Sequence, residues 1–131
     1  MIEIRVDIPN LPKFQRALSS YPEIAGRKFQ EAINKSIMSI HSKTQSPWPP
    51  GTPRATGRLA SSLGAGIRFG PLWGSISTDV EYAVYVHEGT YKMVARPFLK
   101  TSVEAAQSEV ERHFEQALSS TLNEIASRAK G

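Results

Sequence analysis

The chain has 131 residues, no cysteine, 40% hydrophobic residues and a formal charge of +4. That length suits one domain with a real core, residues 1–131. The missing cysteines exclude disulfides, thiol chemistry and cysteine-based metal sites. No apolar run is long enough to span a membrane. Residues 1–20 carry Glu3, Arg5 and Asp7 where a secretory signal would hold its apolar core, so synthesis in the cytosol is expected.

Residues 1–8 alternate, with Ile2, Ile4, Val6 and Ile8 on one side and Glu3, Arg5 and Asp7 on the other. This is the pattern of a half-buried strand, and its charged outer side suits a sheet edge. Asn10 is a candidate N-cap with Pro12 in the first turn. The helix that follows runs to about Ser20, with Leu11, Phe14, Ala17 and Leu18 inward. Tyr21-Pro22 breaks it. A longer helix is expected from Pro22 to Lys43, with Ile24, Ala25, Phe29, Ala32, Ile33, Ile37 and Ile40 along one face. Gly26 weakens its first turns.

Residues 45–57 hold four prolines and two glycines, which leaves no regular element possible. A loop of this length inside a compact domain is usually functional or mobile. Trp48 sits in it without an obvious core, and either buries against a partner or folds back over its own domain. Thr56 then caps a short helical turn ending near Leu63-Gly64. Ala65–Phe69 and Ser75–Val80 read as two strands joined by a turn at residues 70–74, with Ile67, Phe69, Ile76 and Val80 in the core.

Residues 81–99 fit two readings. Tyr82, Val84 and Val86 alternate as in a strand, while Tyr82, Tyr85 and Val86 have helical spacing. Gly89 ends either element, and Tyr91–Ala95 is a candidate further strand. Pro97 opens a last helix, to about Ala129, with the stripe Leu99, Val103, Ala106, Val110, Phe114, Ala117, Leu118, Leu122 and Ile125. Such a helix spans roughly 48 Å, against a radius of gyration of about 14 Å for a domain of this size. It must therefore project from the body or break near Ser119-Ser120. The expected fold is α+β: a small antiparallel sheet packed against two long helices, with a long proline-rich loop and a C-terminal amphipathic helix.

Charge is unevenly spread. Residues 46–73 carry three basic and no acidic groups, and residues 101–131 carry three basic and five acidic groups. This fits nucleic acid at the middle segment, or complementary faces between like subunits.

Candidate chemistry is thin. His41, His87 and His113 belong to no metal-spaced motif. His87-Glu88 would be an acid–base pair, but adjacent residues of a strand point to opposite faces. Ser61 and Ser62 lack a nucleophile-elbow context. Gly64, Gly66 and Gly70 form no phosphate-binding loop. Arg54 and Arg58 can touch phosphates or simply solvate the loop, and Tyr82, Tyr85 and Tyr91 can stack on bases, fill a core or meet a subunit. These features favour an assembly protein over an enzyme, and no cofactor is implied.

Three blocks, in order, carry a family resemblance. They are Thr56-Gly57-Arg58-Leu59-Ala60-Ser61-Ser62-Leu63, then Tyr82-Ala83-Val84-Tyr85-Val86-His87-Glu88-Gly89-Thr90, then Ala95-Arg96-Pro97-Phe98-Leu99. The series resembles the tail-completion or head–tail joining proteins of the neck of long-tailed bacteriophages. Leu63 departs from the isoleucine common at that place. His87 is similar to a related group in contractile-tail phages. The resemblance implies a non-enzymatic virion protein, made in the host cytoplasm. It implies a hexameric ring between the head connector or stopper and the tail terminator or tail tube, with DNA passing through the lumen and no membrane involved. The alternative is a small basic nucleic-acid-binding protein. The resemblance implies structural parts for Gly57, Leu59, Tyr82, Ala83, Val86, Gly89, Thr90, Arg96, Pro97 and Phe98. Leu59 would seat its turn on the sheet, Tyr82, Ala83 and Val86 would dock on the last helix, and Arg96 would bond carbonyls or a neighbour's carboxylate. Trp48, Arg54 and Arg58 are the candidate assembly contacts.

Overall fold

A computed structural model describes residues 2–53, 57–92 and 94–130. The elements run β1 (Ile2–Asp7), α1 (Pro12–Ser20), α2 (Pro22–Thr44), α3 (Arg58–Ala65), β2 (Arg68–Gly70), β3 (Trp73–Thr78), α4 (Ala83–Glu88) and α5 (Phe98–Lys130). The fold is α+β, an antiparallel sheet of order β1-β3-β2 covered by α2 and α5.

β1 alternates as its sequence requires, with Ile2, Ile4 and Val6 half-buried and Glu3, Arg5 and Asp7 exposed, and it forms an edge. In α1 the cap is Leu11 rather than Asn10, and it makes no side-chain cap bond. Leu11 has extended backbone, φ −120° and ψ 142°, so its side chain leaves the helical face and is exposed rather than inward. All seven expected inward residues of α2 are buried. Ser36 joins them, its hydroxyl donating to the Ala32 carbonyl at 2.7 Å.

The core has two parts. Phe14, Phe29 and Phe114 pack edge to face where α1, α2 and α5 meet, with centroids 5.4 Å and 6.1 Å apart. Ile40, Leu59, Leu63, Ile76, Ala83, Phe98 and Leu99 form the other part, where α3, α4 and the sheet meet the start of α5.

α5 neither projects nor breaks. It runs unbroken through Ser119-Ser120, antiparallel to α2, as the pairs Lys43–Glu109 (3.7 Å) and Arg27–Glu124 (2.9 Å) show. Its first turns pass the end of α2 and are housed by the second part of the core. The body is elongated along the helix, so its length exceeds what a sphere of this chain length would allow. Leu122 is 54% exposed, and Thr121 is buried in its place, donating to the Ala117 carbonyl at 2.8 Å. Three residues on from Leu118 and four on from Ala117 both reach 121, and a polar threonine there hid the continuation of the stripe.

Three expected strands differ. The first, Ala65–Phe69, starts as a helix end and becomes strand only later: α3 runs to Ala65, Gly66 caps it, and β2 covers Arg68–Gly70. Gly66 lies against the Ser77 carbonyl, where an added Cβ would sit 1.9 Å away, and the Gly66 carbonyl accepts the Ser77 N–H at 3.2 Å. The second begins earlier, at Trp73, because Pro71-Leu72 alone makes the turn. Leu72 takes φ 59° after a proline, the type II pattern, with its N–H held by Gln30 Oε1 at 2.6 Å. Phe69 is 46% exposed, not core, because β2 is an edge strand with no neighbour on its outer side. The third, Tyr91–Ala95, is absent among the described residues: Thr90 makes an isolated bridge, Tyr91-Lys92 turns, and Met93 lies outside them. Of the two readings for residues 81–99, the helix is the one observed.

The loop after α2 is tied to its own domain up to Pro53. Thr52 is buried, and its N–H and hydroxyl both donate to the Thr44 carbonyl at 3.0 Å. The Pro50 carbonyl accepts hydroxyls from Thr101 and Ser102. Arg54 and Thr56, with the expected cap, lie outside the described residues. No helix among the described residues is long and apolar enough to cross a membrane.

Candidate functional site

Apolar residues from each of the three sequence blocks converge. Leu59 and Leu63 from α3, Ala83 from α4 and Phe98 and Leu99 from α5 are all buried in one cluster, with Tyr82, Val86 and Trp48 packed against it. Trp48 thus folds back over its own domain. Gly57 precedes α3 with φ 76°, a conformation that disfavours a side chain.

α4 and the segment after it form a hook. Gly89, at φ 79°, ends the helix, with its N–H on the Tyr85 carbonyl at 2.8 Å. The chain then turns at Thr90, whose hydroxyl accepts the Lys92 N–H at 3.2 Å. It returns so that the Arg96 N–H reaches the Val86 carbonyl at 2.8 Å, immediately before α5 begins at Phe98. Pro97 is half-buried there, and the Arg96 side chain is exposed with no partner among the described residues. The inner side of the hook is core, while its outer side presents Val84, Tyr85, Tyr91 and Val94, exposed by 42%, 59%, 94% and 85%. The three tyrosines therefore divide: Tyr82 packs inward and Tyr85 and Tyr91 face solvent.

His87 and Glu88 do meet at the end of α4, Nδ1 to Oε1 at 2.8 Å, although neither strand nor helix geometry points adjacent side chains at each other. The imidazole also stands edge-on to Phe98, 5.3 Å between centroids. Its contacts orient it as a brace between α4 and α5. Arg58 is exposed and forks onto Glu81 at 3.3 and 3.4 Å, with its guanidinium 5.8 Å from the Tyr82 ring centroid. A backbone hydrogen bond at Glu81, and after it the Arg58 contact, holds the Glu81 carboxyl below its usual value. Part of the basic middle segment is thus neutralised within the chain.

Among the surface depressions of the described residues, two join side chains from distant elements. One, of about 450 Å³, is lined by Met38, Ser39, Glu109 and His113. Ser39 Oγ and His113 Nε2 are 3.0 Å apart. Burial first, then Arg112 and Lys35, pushes the imidazole below its ordinary value, against an opposing pull from Glu109. Both residues lie mid-helix, where backbone N–H groups are spent on i−4 carbonyls and none is free to hold an oxyanion. The pair is a polar clasp between α2 and α5. The second depression, of about 350 Å³, lies between β1 and α5, walled by Val6, Phe14, Val110 and Phe114. Neither had a sequence signal, because each joins residues distant in the chain. Among the described residues no three of His, Asp and Glu gather into a group that could hold a metal ion.

Compared with family models, curated proteins and solved structures, the chain matches none.

Proposed function

We propose that this chain is a non-enzymatic structural protein of a tailed-phage neck. Its subunits form a ring, six in the resembling proteins, that joins the head connector to the tail terminator or tube and lets DNA through. The observation that carries this reading is the hook. Each of the three blocks that define the resemblance places apolar residues in one core cluster, and Val84, Tyr85, Tyr91 and Val94 stand outward above it on a capped, hydrogen-bonded turn. Large apolar side chains grouped at the surface mark protein contacts. Aromatic anchors on a pre-formed element supply affinity at little ordering cost.

The decisive experiment deletes the coding sequence from the phage or prophage that bears it. Heads filled with DNA and separate, complete tails are the expected products, joined again when the protein is supplied. Normal tailed, infectious particles from the deletion would refute the reading. The rival, a small basic nucleic-acid-binding protein, rests on the charge of +4. It requires that the purified chain bind DNA with affinity falling steeply as salt rises. The neck reading expects only weak, unspecific binding.

A further inference from the structure

The sheet has two open edges, and they complement each other. In the hairpin, Gly70 and Trp73 close a two-residue turn as a hydrogen-bonded pair, so the bonding alternates from there. The Ser77 N–H, bonded to the Gly66 carbonyl on the β2 side, keeps the same parity. It follows that Phe69 in β2, and Glu3, Arg5 and Asp7 in β1, turn their backbone N–H and C=O groups to the outside.

The side chains add a second constraint. Phe69, Gly74 and Val6 form one row across the sheet, on the face that packs against α2, where Gly74 meets Ile33 and Ile37. Arg68, Ser75 and Arg5 form the next row, on the other face. Phe69 is half-exposed at its edge, and Ile2, Ile4 and Val6 are only half-buried at theirs. Arg68 and Glu3 are both exposed, and neither has a side-chain partner among the described residues.

We propose that β2 of one subunit pairs with β1 of the next, head to tail and in parallel, so that the sheet continues from copy to copy around the ring. The occupant of each edge is a second copy of this chain, and the inference rests on the ring reading above. β1 and β2 are both antiparallel to β3, so continuation of the sheet brings them together in parallel. A parallel bridge between Phe69 and Ile4 uses the outward groups on both sides: the Phe69 N–H donates to the Glu3 carbonyl, and the Arg5 N–H donates to the Phe69 carbonyl. Phe69 then extends the apolar row beside Ile4, and Arg68 lies beside Glu3. Moving the register by two residues toward Val6 sets Arg68 against Arg5, so charge favours the first register over that one. The same charged edge that deters indiscriminate pairing admits this one. Head-to-tail contacts of this kind close into rings when the rotation between copies permits.

The absence of native cysteine allows a clean test. Strands paired in a sheet lie about 4.8 Å apart, within disulfide reach. Arg68→Cys protein and Glu3→Cys protein are mixed and oxidised, with circular dichroism establishing that each is folded. The expected result is a cross-linked dimer in the mixture, little in either protein alone, and none above background with Arg68→Cys plus Glu31→Cys. The double variant Arg68→Cys/Glu3→Cys should give a ladder ending at the ring size. No cross-link in the mixture overturns the proposal, and so does Glu3→Cys cross-linking to itself as readily, which would mean a two-fold β1 contact. A deletion phage with firmly joined tails would end the neck reading alone and leave the ladder intact.

Discussion

Gly51 and Gly26 show how differently one residue type is used. Gly51 is buried where α2 meets the loop, and an added Cβ would lie 1.9 Å from the Ser46 carbonyl oxygen and 2.5 Å from that of Lys43. Gly51→Ala must push backbone apart and should cost about 1–3 kcal/mol. Gly26 is within α2 with nothing inside 4 Å of the added atom. Gly26→Ala should therefore stabilise by roughly 0.5–1 kcal/mol through helix propensity. Thermal or urea unfolding of the two variants beside the parent measures both. Gly26 is legible in the sequence as a weak point in a helix, whereas Gly51 is there only one glycine in a proline-rich loop. Its close approach depends on how the loop doubles back, which no local pattern encodes. Trp48 is the same case: its burial follows from the Thr52 and Pro50 bonds that tie the loop to α2 and α5.

The α2–α5 seam makes a prediction about pH. The His113 imidazole is held below its ordinary value of 6.5 by burial, with Arg112 and Lys35 adding to it and Glu109 opposing. Between the folded and unfolded values the unfolded chain binds more protons, so stability rises with pH across that window. Below the folded value the penalty is complete, and above the unfolded value it is absent. The parent should thus lose stability as pH falls below about 6.5, and His113→Gln should remove that part of the slope in urea titrations at a series of pH values. Glu124 moves stability in the same direction but in a more acidic window. Arg27 holds its carboxyl below 4.5, so its stabilising effect persists above that value and fades only in stronger acid. The two ends of the seam therefore separate by pH. Leu122→Gln offers a further check on the helix. Its exposure predicts a change within about 0.5 kcal/mol, whereas Leu118→Ala, at a buried site, should cost about 2–5 kcal/mol. Long elements such as α2 and α5 were legible because many turns repeat one period. α4 was not, because six residues fit both periods and its helical state depends on the Gly89 cap and the Val86–Arg96 closure.

At the scale of the molecule, the α+β class followed from one alternating strand and two long apolar stripes, but the exposed hook did not. Tyr82 and Tyr85 look alike in sequence, and only docking of α4 on α3 and α5 decides which faces inward. That division lets folding and assembly be separated by mutation. Tyr85 and Tyr91 are exposed by 59% and 94%, so Tyr85→Ser/Tyr91→Ser should leave stability within about 0.5 kcal/mol of the parent. Should the hook be the docking surface in the neck, both rings are anchors whose loss costs roughly 2 kcal/mol each, about 30-fold in affinity apiece. Complementation of a deletion phage by the double variant should then yield unjoined heads and tails, while the purified protein melts as the parent does. Phe98→Ala is the contrasting variant. It empties the core beneath the hook, where Phe98 is fully buried against His87, and should lose both the fold and joining. Normal joining by the tyrosine double variant would move the docking surface away from α4, and then the exposed rings would need another explanation than contact with a neighbour in the particle.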